Sequence, residues 1–108
     1  MTREEALAKL DECRVLIDEV DRRIVVLLNE RTKTVERIGA IKREAKMPIY
    51  EPKREDQVFA NVTGVSHGPL TVDAVRRIFE RIIDEMRTVQ RLRMEAAADA
   101  PSCGPQSE

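Results

Sequence analysis

The N-terminal half of the sequence carries a seven-residue repeat of apolar residues that is interrupted by cations. Two positions of this repeat are apolar, and they are held by Leu10, Ile17, Ile24 and Ile38 and by Cys13, Val20, Leu27 and Ile41. A repeat sustained over this length predicts a long helix that packs against other helices. A chain of 108 residues builds only a small core, and a long helix cannot cover its own apolar stripe. We therefore expect an oligomer.

Three cations lie in or beside this apolar seam. Arg31 stands in the first series, where Leu or Ile is expected, and Arg14 and Lys42 each follow a residue of the second series. Turning a cation toward a packed core costs on the order of several kcal/mol unless a negative group meets it. Because no acidic residue takes a seam position, a bound anionic ligand is a candidate for the compensating charge.

The pattern predicts an all-α fold with three helices, the first of them very long. They run from Thr2 to Ala45, from Pro52 to about Thr63, and from Thr71 to about Glu95. Thr2 and Glu5 form a capping-box sequence, and Thr71 is the expected N-cap of the third helix. We expect one domain over residues 1–95 and a disordered C-terminal tail over residues 96–108, which includes Cys103.

Composition excludes several classes of function. Charged residues make up 36% of the chain but the net charge is −1, which argues against nucleic acid as the main partner. No apolar run approaches the roughly 20 residues of a membrane span, and the N-terminus lacks the apolar core of a signal peptide. Cys13 and Cys103 form neither a disulfide framework nor a metal-ligand pair. We therefore expect a cytoplasmic protein without a metal.

Helix geometry limits how the cations can share a site. Arg31 and Lys42 are 11 residues apart, so on one helix they face nearly the same way, about 16 Å apart along its axis. Arg14 and Lys42 are four heptads apart, which corresponds to about 42 Å. If both serve one small ligand, Arg14 must come from a second chain. A symmetric dimer would then contain two equivalent sites.

Further polar residues point toward the same region. Gln90 continues the apolar stripe of the third helix, 11 residues after Phe79, and is a neutral hydrogen-bond donor facing inward. Glu51, Arg54 and Glu55 lie at the first turn of the second helix, close to the end of the first. The sequence has no Ser-His-Asp set, no CxxC pair and no glycine-rich phosphate loop. It therefore predicts binding by charge and hydrogen bonds.

Each of these residues also has a purely structural interpretation. Arg31 could fix the helix register by pairing with a glutamate across an interface. Lys42 could be a solvated surface lysine, Gln90 could end its stripe in water, and Arg14 could pair with an aspartate one turn away. The four residues on converging faces favour a binding site over four separate explanations.

Over residues 7–92 the chain resembles the all-helical, AroQ-class chorismate mutases. The matching stretches are LDECRVLIDEVDRRIVVLLNERTKTVERIGAIK, PIYEPKREDQV and RIFERIIDEMRTVQ. The residues whose spacing carries the resemblance are Arg14, Asp21, Arg31, Gly39, Lys42, Arg54, Glu55 and Gln90. The resemblance implies an intertwined homodimer of three-helix chains and a rearrangement of chorismate to prephenate, in phenylalanine and tyrosine biosynthesis, without a cofactor.

The resemblance also implies a role for each site residue. Arg31 would bind a carboxylate of the substrate, and so would Arg14 contributed by the second chain. Lys42 would bind a carboxylate and the breaking ether oxygen. Gln90 would donate to the same oxygen. The ring hydroxyl would be held by Glu55, with help from the backbone near Glu51, while Arg54 would order the site. Lys42, Gln90 and Arg31 are the predicted catalytic residues.

One departure and two alternatives accompany this interpretation. Met86 stands where some members of the family have a serine that binds the ring carboxylate, so that contact is lost. An isochorismate-pyruvate lyase shares the fold, although the segment KREAKMPIYEPKRE favours the mutase. A non-catalytic helical interaction module is the other alternative. Docking on another enzyme of the shikimate pathway is a further possibility for the mutase.

Overall fold

The computed structural model describes residues 1–99, which form three helices and no strand. They are α1 (Arg3–Ala45), α2 (Pro52–Val65) and α3 (Val72–Asp99). The all-α prediction with one very long first helix is therefore confirmed. Within the described residues, no helix combines the length and the apolar character that crossing a membrane requires.

Two of the predicted helix starts are confirmed by their hydrogen bonds. The amide of Glu5 donates to Oγ1 of Thr2 at 3.1 Å, and the amide of Thr2 donates to Oε1 of Glu5 at 3.2 Å. These two bonds form the reciprocal capping box that the sequence predicts. At the start of α3, the amide of Ala74 donates to Oγ1 of Thr71 at 3.1 Å, as expected of an N-cap.

Two helices extend further than predicted. Helix α2 continues two residues past Thr63, to Val65, and α3 continues past Glu95 to Asp99. The alanines at positions 96–98 are strong helix formers, which explains why the helix continues into the predicted tail. The rest of that tail, residues 100–108 with Cys103, lies outside the described residues, so the boundary at residue 95 stays a prediction.

The chain divides into two units, Met1–Lys33 and Thr34–Glu108. The first unit is the N-terminal part of α1. Its apolar repeat is exposed to solvent, with exposed fractions of 45% for Leu10, 57% for Ile17 and 61% for Leu27. Cys13 is a free, exposed thiol on the same stripe. The chain therefore leaves the predicted packing surface of this unit uncovered.

The second unit contains the core, formed by Val35, Val58, Val75, Ile83 and Met86. The α1 residues buried here are Val35, Gly39 and Lys42, at the spacing of one helix face. Ile38 and Ile41 of the predicted seam are 41% and 63% exposed. Within this chain α1 therefore turns inward a face that includes Lys42 and differs from the apolar seam.

The C-terminal end of α1 sets the path of the following loop. The amide of Met47 donates to the carbonyl of Lys42 at 2.7 Å, and the amide of Lys46 donates to the carbonyl of Arg43 at 3.2 Å. Lys46 has a φ of 58°. These features form a Schellman motif, with Lys46 in the left-handed position that glycine usually takes. The chain turns back here, toward the side chain of Lys42.

Candidate active site

Lys42 is a buried cation whose partners come from the loop between α1 and α2. The residue is 7% exposed. Its Nζ donates to the carbonyl of Ile49 at 3.0 Å and lies 2.5 Å from Oε1 of Glu51. An ammonium has three N–H donors, so these contacts leave one for a ligand. The interpretation of Lys42 as a solvated surface lysine is therefore wrong.

Glu51 supplies a compensating charge that the seam itself does not contain. It is the N-cap residue of α2, yet its side chain makes no capping hydrogen bond. Pro52 follows it at the first helical position, which needs no amide partner. The carboxylate is thus free to pair with Lys42, so an internal anion outside the seam neutralises this cation, in addition to any bound ligand.

Gln90 is buried against the same segment of α1. It is 7% exposed, and its Nε2 donates to the carbonyl of Val35 at 3.4 Å, a long hydrogen bond. A Cβ built on Gly39 would lie 3.5 Å from Cγ of Gln90, an ordinary packing distance, so the side chain of Gln90 packs directly against α1 at Gly39. The alternative in which Gln90 ends its stripe in water is wrong.

The buried polar groups therefore share one packed region. Lys42 lies three residues beyond Gly39, on the same buried face of α1 that Gln90 contacts. Met86, one turn before Gln90 on α3, is also buried and contributes no hydrogen-bond donor comparable to serine. Such a region offers a cation and a neutral amide donor in an apolar setting, where electrostatic interactions are stronger than in water.

Glu55 is held by Arg87, a residue that the sequence pattern did not identify. The guanidinium of Arg87 donates through Nε to Oε2 at 2.9 Å and through Nη2 to Oε1 at 3.1 Å. Arg87 follows Met86 in a sequence rich in arginine, so nothing distinguished it from a surface residue. Its Nη1 also donates to Oδ1 of Asp84, three residues earlier on the same helix, at 3.1 Å.

A cavity of about 360 Å³ lies between α2 and α3, next to this pair. Its lining residues are Glu55, Phe59, Glu80, Ile83, Asp84 and Arg87. Three carboxylates and one guanidinium give this cavity a formal charge of −2. Among residues 1–99, no group of three or more His, Cys, Asp or Glu side chains is arranged to hold a metal ion.

The other predicted site residues lie elsewhere. Arg54 is exposed on α2, where its Nη1 donates to Oε1 of Gln57 at 3.5 Å. Arg14 and Arg31 belong to the first unit. Arg14 is exposed, and its Nη1 lies 3.7 Å from Oδ1 of Asp11, in agreement with the structural interpretation of this residue. Arg31 is half-buried. Their contribution to a shared site stays a prediction.

Residues 13–91 match the family described as Chorismate mutase type II. This match covers most of the chain and includes Arg14, Arg31, Lys42, Gln90 and the Glu55–Arg87 pair.

The chain belongs to the type II chorismate mutase family.

Individual relatives agree with this membership. The chain is 34% identical over 89 residues to the bifunctional chorismate mutase/prephenate dehydratase of Aquifex aeolicus, covering 79% of this chain and 25% of that protein. It is 27% identical over 90 residues to the chorismate mutase of Methanocaldococcus jannaschii, covering 82% of this chain and 91% of that protein. The chain thus spans only about a quarter of the bifunctional relative.

The fold also matches a solved structure of the family. Form II of the chorismate mutase from Thermus thermophilus aligns with a TM-score of 0.75 and 31% identity, over 77% of this chain and 94% of that chain. The resemblance inferred from the spacing of site residues is therefore confirmed at the level of family and fold.

Proposed function

We propose that this protein is a chorismate mutase that converts chorismate to prephenate at a site built from two copies of the chain. The observation that carries the proposal is the burial of Lys42 and Gln90 on facing helices, at 7% exposure each. Placing a cation and an amide in a core is unfavourable unless they have a binding role or full internal compensation. Membership of the family makes chorismate the expected ligand.

The reaction is a unimolecular rearrangement, so the residues must supply geometry and charge stabilisation. A flexible dianion has to be held in a compact, chair-like shape, and charge develops on the breaking ether oxygen. The third N–H of Lys42 and the amide of Gln90 are the groups proposed to donate to that oxygen. Since both are already fixed by packing, little reorganisation is needed during the reaction.

The carboxylates of the substrate need cations beyond Lys42. We assign this role to Arg31 and to Arg14 of a second chain, which requires a homodimer. The exposed apolar stripe of the first unit, with Ile17 and Leu27 more than half exposed, supports such a dimer because it leaves a large apolar surface to cover. Glu55 is proposed to accept a hydrogen bond from the ring hydroxyl. The pocket is completed by the backbone near Glu51 and by the side chain of Arg54.

Two wider assignments are part of the proposal. The bifunctional relatives combine chorismate mutase and prephenate dehydratase in one chain, which supports docking of this protein on another enzyme of the shikimate pathway. A cytoplasmic location and the absence of a cofactor stay predictions.

The test follows chorismate in a solution of the purified protein and identifies the product by nuclear magnetic resonance. We expect loss of chorismate with formation of prephenate and without release of pyruvate. Isochorismate, added as a competing substrate, tests the lyase alternative. Release of pyruvate from isochorismate without prephenate formation would favour the lyase, and lack of turnover with either substrate would contradict both enzymes.

A further inference from the structure

Arg87 holds the carboxylate of Glu55 in a two-pronged hydrogen bond that links α3 to α2. The two bonds, 2.9 Å through Nε and 3.1 Å through Nη2, use both oxygens of Glu55. Parallel bonds of this kind between a guanidinium and a carboxylate fix orientation as well as distance. The side chain of Glu55 is 19% exposed, so the pair is shielded from water more than a surface ion pair.

Arg87 is itself held in place by two further contacts. Its Nη1 donates to Oδ1 of Asp84 at 3.1 Å, one helical turn earlier. Its guanidinium also lies 5.8 Å from the centre of the Tyr50 ring, within the range of a cation–π contact. The guanidinium that binds Glu55 is thus held in its orientation by Asp84 on α3 and by Tyr50 in the loop before α2.

The pair changes what Glu55 can do for a ligand. A carboxylate bound in this way only accepts hydrogen bonds, and each oxygen keeps a lone pair for a donor such as a hydroxyl. The guanidinium also offsets the negative charge, which would otherwise repel a dianion. We propose that Arg87 is a positioning residue that orients Glu55 toward the ring hydroxyl of chorismate. This inference rests on the proposed function.

The experiment measures steady-state kinetics of chorismate turnover for Arg87→Met, which keeps the length of the side chain but removes the fork and the charge. We expect KM to rise about tenfold, with a smaller change in kcat, because a substrate contact present throughout the reaction is weakened. Arg81→Met is the matched control. Arg81 lies on the same helix in an exposed ion pair with Glu85 at 2.7 Å, and its removal should leave both constants unchanged.

Coupling to Glu55 separates positioning from a general structural role. Glu55→Gln should raise KM by a similar factor, and adding Arg87→Met to it should change KM by less than about twofold, since both act through one contact. Arg87→Lys keeps the charge without the fork and should restore KM in part.

Each alternative outcome has a definite meaning. Multiplicative effects of Arg87→Met and Glu55→Gln, or kinetics of Arg87→Met equal to those of Arg81→Met, would overturn the inference and leave the proposed function standing. If Arg87→Met does not fold by circular dichroism and Arg87→Lys has the wild-type KM, Arg87 serves the fold alone and the inference is again overturned. A wild-type protein without mutase activity would overturn both proposals.

Discussion

Lys42 and Glu51 form an ion pair whose two members differ sharply in burial: the lysine side chain is 9% exposed and the glutamate side chain is 46% exposed. The cation is fixed by the packing of α1, whereas the anion reaches it from the edge of the loop. A carboxylate of the substrate would meet the same ammonium. Under the proposed function, Glu51 would therefore compete with the substrate for Lys42, and as the more exposed member of the pair it is the one we expect to give way.

Glu51→Gln tests this competition. The change keeps the backbone and a hydrogen-bond acceptor but removes the competing charge, so we expect KM for chorismate to fall severalfold. The temperature of unfolding should also fall, because a buried ammonium loses its anionic partner. Kinetics and thermal unfolding on the same preparations measure both effects. A raised KM would indicate that the side chain of Glu51 itself binds the substrate.

Lys42→Met should remove most of the catalysis without loss of the fold. The variant replaces a buried cation with an apolar side chain of similar length, which a core tolerates. Removing one preorganised electrostatic group costs about 10²–10³ in kcat. Lys53→Met, at an exposed position of α2, is the control and should turn over chorismate normally. Near-normal kcat for Lys42→Met would remove Lys42 from the site.

Gln90→Glu should make activity depend strongly on pH. The amide donates a hydrogen bond at any pH near neutrality, whereas a carboxyl group donates only when it is protonated. As a carboxylate, the new residue would repel the charge developing on the ether oxygen, so activity should rise toward acid pH. Wild type should stay comparatively flat, and Gln90→Met should be weakly active at every pH. Parallel profiles for wild type and Gln90→Glu would contradict the role of Gln90.

Lys46→Gly should stabilise the protein. Lys46 takes a φ of 58° at the end of α1, and a left-handed conformation is unfavourable for a residue with a side chain. We expect the free energy of unfolding to increase by up to about 1 kcal/mol. Arg43→Gly, inside the last turn of the same helix, is the control and should destabilise by a similar amount. Chemical denaturation measures both, and equal destabilisation by the two changes would contradict the capping role.

The sequence predicted the helices and the family better than the contacts of the site. Capping at Thr2 and Thr71 follows from local hydrogen bonding, so short sequence patterns were sufficient. The ion pair of Lys42 with Glu51 depends on the left-handed turn at Lys46, which no sequence rule favours for lysine. Arg87 acts across two helices, and the spacing of residues within one helix does not reveal such a contact.

The heptad pattern likewise identified apolar residues without assigning their partners. Ile38 and Ile41 continue the repeat of the first unit, yet they are exposed in the chain. The buried face of α1 near its end instead carries Val35 and Gly39, against which Gln90 packs. A pattern of apolar residues cannot distinguish the surface that packs within a chain from the surface left for a second chain.

We propose that one chorismate is held by Lys42 of one chain and Arg14 of another, and mixing two inactive variants tests this shared site. Arg14→Ala and Lys42→Ala homodimers should each be nearly inactive. In a heterodimer formed by refolding them together, one site has both residues intact and the other has neither.

The deciding measurement is the chorismate turnover of the mixture, with heterodimer formation established by mass spectrometry. We predict that activity returns, at up to about half the wild-type value per heterodimer, since one of two symmetric sites is restored. A mixture that contains heterodimers but stays as inactive as its parents would contradict the shared site.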